Sequence, residues 1–277
     1  MTDQVLIPIE GSPLSEAALE YALAAFPQED LTLLHVAGSW PTKYGTTSKD
    51  PYQLFEALNE VVADHEGAVS SRTVVGRPAR AIVKYVEEHE IDELVIGSHG
   101  RELGSRILFG SVAETVARRS PVPTTIIRTH QREGGPRLLV PIDASSQSTK
   151  ALQYALETFP DAEITVLHAI DPFETRYGDG QLVHTEEEYE QILKETKRLY
   201  TKATNLADEF GVEITTATAV EPVPRLPATA ILSYVDEGKT DHVIMGSHGR
   251  SGVSRVLLGS VAETVARRSQ VPVTIVR

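Results

Sequence analysis

Residues 96–128 and residues 245–277 are nearly one sequence written twice, with 24 of 33 aligned positions identical. The first stretch reads IGSHGRELGSRILFGSVAETVARRSPVPTTIIR and the second MGSHGRSGVSRVLLGSVAETVARRSQVPVTIVR. The starts also correspond: VLIPIEGSPLSEAALEYALAAFP from Val5 matches LLVPIDASSQSTKALQYALETFP from Leu138. The offset is 133 at the start of the copies and 149 at the end, a net insertion of 16 residues in the second. Solenoid repeats have periods of about 20–50 residues, so a period this long marks a duplicated domain. A chain of 277 residues is then two domains, each long enough for its own core. The expected boundaries are 1–130 for the first domain, 131–136 for a polar, glycine-containing linker, and 137–277 for the second.

Within each copy the apolar pattern alternates between strand and helix. Residues 5–9 are a short apolar run, Ser12 and Pro13 form a helix start, and Leu14, Ala17, Ala18, Tyr21, Ala22 and Ala25 recur at helical spacing. Strands are expected at 31–36, 68–75, 93–97 and 122–128, with helices at 52–65, 78–88 and 110–119 between them. Strands alternating with helices of ten to fifteen residues mean right-handed βαβ crossovers and a doubly wound parallel sheet with helices on both faces. Ligands of such sheets bind beyond the C-terminal ends of the strands. The extra residues of the second copy fall between its second strand, 163–168, and a long helix at about 186–210.

The sharpest chemical signal follows the fourth strand of each copy: Gly97-x2-Gly100-x9-Gly110-Ser111 and Gly246-x2-Gly249-x9-Gly259-Ser260. Glycines let backbone N–H groups approach an anion, and the helix opening at Ser111 or Ser260 presents unpaired N–H groups at its positive end. The plainer alternative is that Ser111-x-x-Glu114 and Ser260-x-x-Glu263 are capping boxes and the glycines only tighten a turn. Two loops of equal spacing at the same end of the sheet favour phosphate binding.

Together with the first strands ending in Pro-Ile-Glu and Pro-Ile-Asp, these loops resemble the nucleotide-binding signature of the universal stress protein family, in two tandem copies covering nearly the whole chain. The resemblance implies α/β domains with five-stranded parallel sheets of order 3-2-1-4-5, and ATP, ADP or AMP, with or without Mg²⁺, at the strand ends. In the second copy it implies that Pro141, Asp143, Ala169, Met245, Gly246, His248, Gly249, Gly259, Ser260 and Val261 surround the nucleotide, Asp143 holding the ribose or base edge. The matching positions of the first copy are Pro8, Glu10, Val36, Ile96, Gly97, His99, Gly100, Gly110, Ser111 and Val112. Glu10 departs from the usual Asp, which makes the second site the stronger one.

Composition narrows the function classes. With no cysteine, disulfides, thiolate metal sites and Cys nucleophiles are excluded, and no metal-ligand spacing is present. A net charge of −13 opposes general nucleic-acid binding. No apolar run reaches the roughly 18 residues of a membrane span, no signal-peptide pattern opens the sequence, and a cytoplasmic location is expected. There is no GxxxxGK[ST], G-x-S-x-G or dinucleotide G-x-G-x-x-G motif. Three readings follow: a nucleotide-dependent regulatory module of the stress response, a slow Mg²⁺-dependent ATPase or autokinase, or a structural stress protein with empty pockets. The apolar fifth strands further suggest intramolecular domain pairing through their edges, with a homodimer as an additional expectation and an unidentified protein as partner.

Overall fold

A computed structural model of the chain describes residues 2–38, 50–98, 110–128, 136–170, 186–220, 227–249 and 258–277. The described residues form two compact units, one up to residue 128 and one from residue 136 onwards. In the first, β1 (Gln4–Pro8), α1 (Pro13–Ala25), β2 (Asp30–Ala37), α2 (Pro51–Leu58), β3 (Val69–Val75), α3 (Pro78–Glu88), β4 (Glu93–Gly97), α4 (Ser111–Arg119) and β5 (Thr124–Ile127) alternate along the chain. The second repeats them as β6 (Arg137–Pro141), α5 (Ser146–Thr158), β7 (Glu163–Ile170), α6 (Glu186–Glu209), β8 (Ile214–Val220), α7 (Pro227–Asp236), β9 (His242–Gly246), α8 (Ser260–Arg268) and β10 (Val273–Val276).

Each unit has one parallel sheet, ordered β3-β2-β1-β4-β5 and β8-β7-β6-β9-β10. The order reverses direction beside β1 and beside β6. The C-terminal ends of these strands and their neighbours, β4 and β9, are therefore flanked by helices leaving in opposite directions.

Local chemistry accounts for the elements. Central strands are apolar throughout because both faces are covered: Val5, Leu6 and Ile7 of β1 and Leu138, Leu139 and Val140 of β6 are at most 1% exposed. Ala17, Ala18, Ala22 and Leu19 of α1 pack on β1 and β2 with Phe26, Leu54 and Leu58, and each fully buried large aliphatic side chain contributes about 1.5–3 kcal/mol. Ser12 and Ser145 cap α1 and α5, each side chain accepting from the N–H three residues on, of Ser15 and Ser148.

The end of one helix differs from expectation. The helix expected over 52–65 ends at Leu58 and continues as turns, with Val61 N–H and Val62 N–H both donating to the Leu58 carbonyl. Its counterpart α6 runs for 24 residues. The expected linker lies almost wholly outside the described residues.

Candidate functional site

The turn from β6 into α5 carries the first site group. Asp143 Oδ1 accepts from the Ser145 N–H at 3.0 Å, which holds the carboxylate at the C-terminal end of β6. Between them Ala144 has φ 65°, the left-handed region that Gly11 occupies at the matching point of the first unit with φ 75°. His168 of β7 closes the turn from beneath, its Nδ1 lying 2.8 Å from the Ile142 carbonyl. His35 makes the same contact with Ile9 at 3.0 Å, so these two histidines tie strand two to the turn after strand one.

The glycine loop supplies the opposite wall. Gly246 ends β9 where α5 crosses it, and a Cβ there would stand 2.7 Å from the Gln147 backbone. Gly97 is in the same position, with Leu14 O at 2.7 Å. The first glycine of the motif is therefore required by helix-on-strand packing. A Cβ on Gly249 would lie 2.6 Å from Asp143 Oδ2, so this glycine and the carboxylate face each other.

Gly259 returns the chain to the sheet, its N–H donating to Ser247 O at 2.8 Å, and acts as N-cap of α8. Gly110 does the same with Ser98 O for α4. Neither helix has a side-chain cap bond. This removes the capping-box alternative: Ser111 and Ser260 are the first helical residues, and Glu114 and Glu263 instead pair with Arg118 and Arg267 at 3.1 and 3.0 Å. Among the described residues the first-turn N–H groups of α8 therefore have no capping side chain, whereas α5 has Ser145.

These parts enclose one cleft of about 700 Å³ in the second unit. Pro141, Asp143, Ala169, Met245, Gly246, His248, Gly249, Gly259, Ser260 and Val261, all ten positions expected there, line it. His248 sits among them with its Nδ1 3.0 Å from Ser247 Oγ, while its Nε2 is buried and, among the described residues, without a hydrogen-bond partner. Burial and then the nearby Arg277 charge hold this imidazole below its ordinary pKa, so it is neutral at pH 7.

In the first unit Pro8, Glu10, Val36, Ile96, Gly97, Gly110, Ser111 and Val112 lie at the corresponding strand and helix ends. His99 and Gly100 lie outside the described residues. Glu10 differs from Asp143 in how it is held. Its longer side chain reaches the Ser12 hydroxyl, which donates to Oε1, so the carboxylate is drawn towards the cap of α1.

The cleft has a wall that sequence reasoning missed. Ile192, Glu195, Thr196, Leu199 and Lys202 of α6 line it, with Arg198, and Pro227 and Ile231 of α7 complete the apolar side. The signal was present in the spacing of 192, 195, 196, 199 and 202, one face of a helix. Two cations thus stand at a site whose sequence motif contains no lysine. Among the described residues no group of three His, Asp or Glu could hold a metal ion, and no helix is long and apolar enough to cross a membrane.

Two doubly wound α/β units, one with a helix end that carries no capping side chain facing a carboxylate across a cleft, define a doubly wound α/β protein whose candidate site lies at the C-terminal ends of its strands. The sequence model of the universal stress protein family matches residues 1–128 and again 136–277, and the chain belongs to that family as a tandem member. A universal stress protein of Mycobacterium tuberculosis, Rv2005c, is 26% identical over 303 residues, covering 99% of this chain and 96% of its own length. Another from Methanocaldococcus jannaschii, MJ0531, is 32% identical over 149 residues, 51% of this chain and 81% of that protein. A crystal structure of a universal stress protein from Archaeoglobus fulgidus has the same fold, with TM-score 0.67 and 24% identity, covering 100% of this chain and 99% of that one.

Proposed function

We propose that the cleft of the second unit binds an adenine nucleotide and that the protein acts as a nucleotide-dependent binding module in the stress response. The observation that carries this reading is the α8 N-terminus, which opens into the cleft without a side-chain cap. Unsatisfied N–H groups at the positive end of a helix donate to a phosphate. Asp143 would take the ribose or base edge, Ala169 and Ile231 would flank the base, and Gly249, Gly259 and Ser260 would take the phosphates. The unpartnered Nε2 of His248 provides one further polar contact. Bound nucleotide would then order the cleft walls and bias the binding of a partner protein.

A second reading, slow Mg²⁺-dependent ATP hydrolysis or autophosphorylation, is favoured by one feature, the cations Arg198 and Lys202 at the cleft. The test is to purify the chain without added ligand, denature it and assay for adenine-absorbing material, then titrate ATP and AMP calorimetrically. Saturable binding without phosphate release supports the module. Release above a few turnovers per minute supports the enzyme, and no binding of either nucleotide overturns both.

A further inference from the structure

A cationic concavity of the first unit lies on the other side of its sheet order from the glycine loop. A groove of about 1340 Å³ runs between strand β3 and helix α3, and Arg72, Arg77, Arg80 and Lys84 line it. Two carboxylates, Glu88 and Glu90, line its far end, and Glu88 is paired with Lys84 at 3.5 Å. A cationic groove on a chain of net charge −13 is a local reversal of the molecule's field.

The internal repeat shows that the fold does not require it. Thr32 pairs with Ser70 as Thr165 pairs with Thr215, and Pro78 opens α3 as Pro227 opens α7. In that register Arg72, Arg77, Arg80 and Lys84 correspond to Ala217, Leu226, Thr229 and Ser233.

The strand edges also differ. In the second unit Tyr200 of α6 donates its hydroxyl to the Ala217 carbonyl and bonds Thr218 Oγ1 at 2.8 Å, covering β8. Phe55 stands at the matching place in α2 and has no hydroxyl. Among the described residues β3 pairs with β2 on one side and ends its sheet on the other, and its last residue, Val75, is 73% exposed. An edge strand of this kind accepts an added strand through its backbone, and flanking side chains select the incoming sequence.

We propose that this groove docks an acidic, extended segment of a partner protein, which adds to β3 as a further strand with its carboxylates on Arg72 and Arg80. Its lining shares no residue with the cleft of the second unit.

The test uses the full chain and a fluorescein-labelled octapeptide alternating threonine and glutamate, followed by anisotropy at low ionic strength. Saturable binding, lost roughly tenfold or more in the double variant Arg72→Glu, Arg80→Glu and weakened by salt, is the expected result. Slower amide exchange over residues 69–75 on binding, and loss of binding when alternate peptide amides are N-methylated, would support strand addition. Equal binding of the N-methylated peptide would overturn it, as would no binding at all. Preference for inorganic polyphosphate or a single-stranded oligonucleotide over the peptide would also overturn it. So would a change in the chain's own sedimentation in the double variant, which would make the occupant a second copy.

Discussion

Asp143 and Glu10 occupy one position in two copies, and a single methylene separates their surroundings. The shorter carboxylate is held by the Ser145 N–H and faces Gly249; the longer one is held by the Ser12 hydroxyl. Asp143→Ala should therefore weaken ATP binding by about 1.5–3 kcal/mol, the range for a charged hydrogen-bond partner, while Glu10→Ala changes it less. Calorimetry on the two variants checks this, and equal losses would contradict it. Ala144 offers a second residue-level test. Its φ of 65° is one that a Cβ disfavours and that glycine adopts in the first copy. Ala144→Gly should relieve this strain and raise unfolding stability by up to about 1 kcal/mol, read as a shift in the urea midpoint at unchanged slope.

At the scale of elements, α6 distinguishes the two copies. Its 24 residues bring Arg198 and Lys202 to the cleft, while α2 stops after eight. If these cations meet the outer phosphates, Lys202→Ala should reduce ATP affinity several-fold and AMP affinity little. A paired titration decides this, and an equal loss for both nucleotides would place Lys202 elsewhere.

Strand β9 carries another element-level difference. His242 is buried where the first copy has Glu93, its Nε2 2.8 Å from Thr274 Oγ1 and its ring edge-on to Phe159. Glu93 instead accepts from Thr125 at 2.9 Å. Burial pushes the His242 pKa from 6.5 down to about 3. Between those values the unfolded chain binds a proton that the folded chain does not, so the neutral imidazole stabilises fully above about pH 6.5 and progressively less as pH falls. The slope is about 1.4 kcal/mol per pH unit at most. Urea midpoints at pH 7.5 and 5.5 should show it, and His242→Gln should flatten it.

For the whole molecule the consequence of duplication is divergence. One copy carries the long helix and the enclosed cleft; the other carries a basic groove along its edge strand. Calorimetry of the intact chain should accordingly give one tight adenine-nucleotide site per chain rather than two equal ones.

Much of this was legible in the residues themselves. The duplication is read by direct comparison, and the alternation of apolar periods of two and about 3.6 specifies parallel α/β units because each period is set within a few neighbouring residues. That a ligand would bind beyond the C-terminal ends of the strands followed from the same alternation, whereas the individual site positions came from the resemblance to a known family. What the tertiary structure decided lies in contacts between elements far apart in sequence. Gly97 and Gly246 are small because a helix some eighty to a hundred residues earlier crosses them, and no local pattern reports that crossing. Ser260 looked like a cap and is the first helical residue, because Gly259 bonds back to Ser247, just after β9, and takes the cap position. The cations of the cleft came from α6, since which face of a long helix meets a distant loop depends on how the elements within the second unit pack.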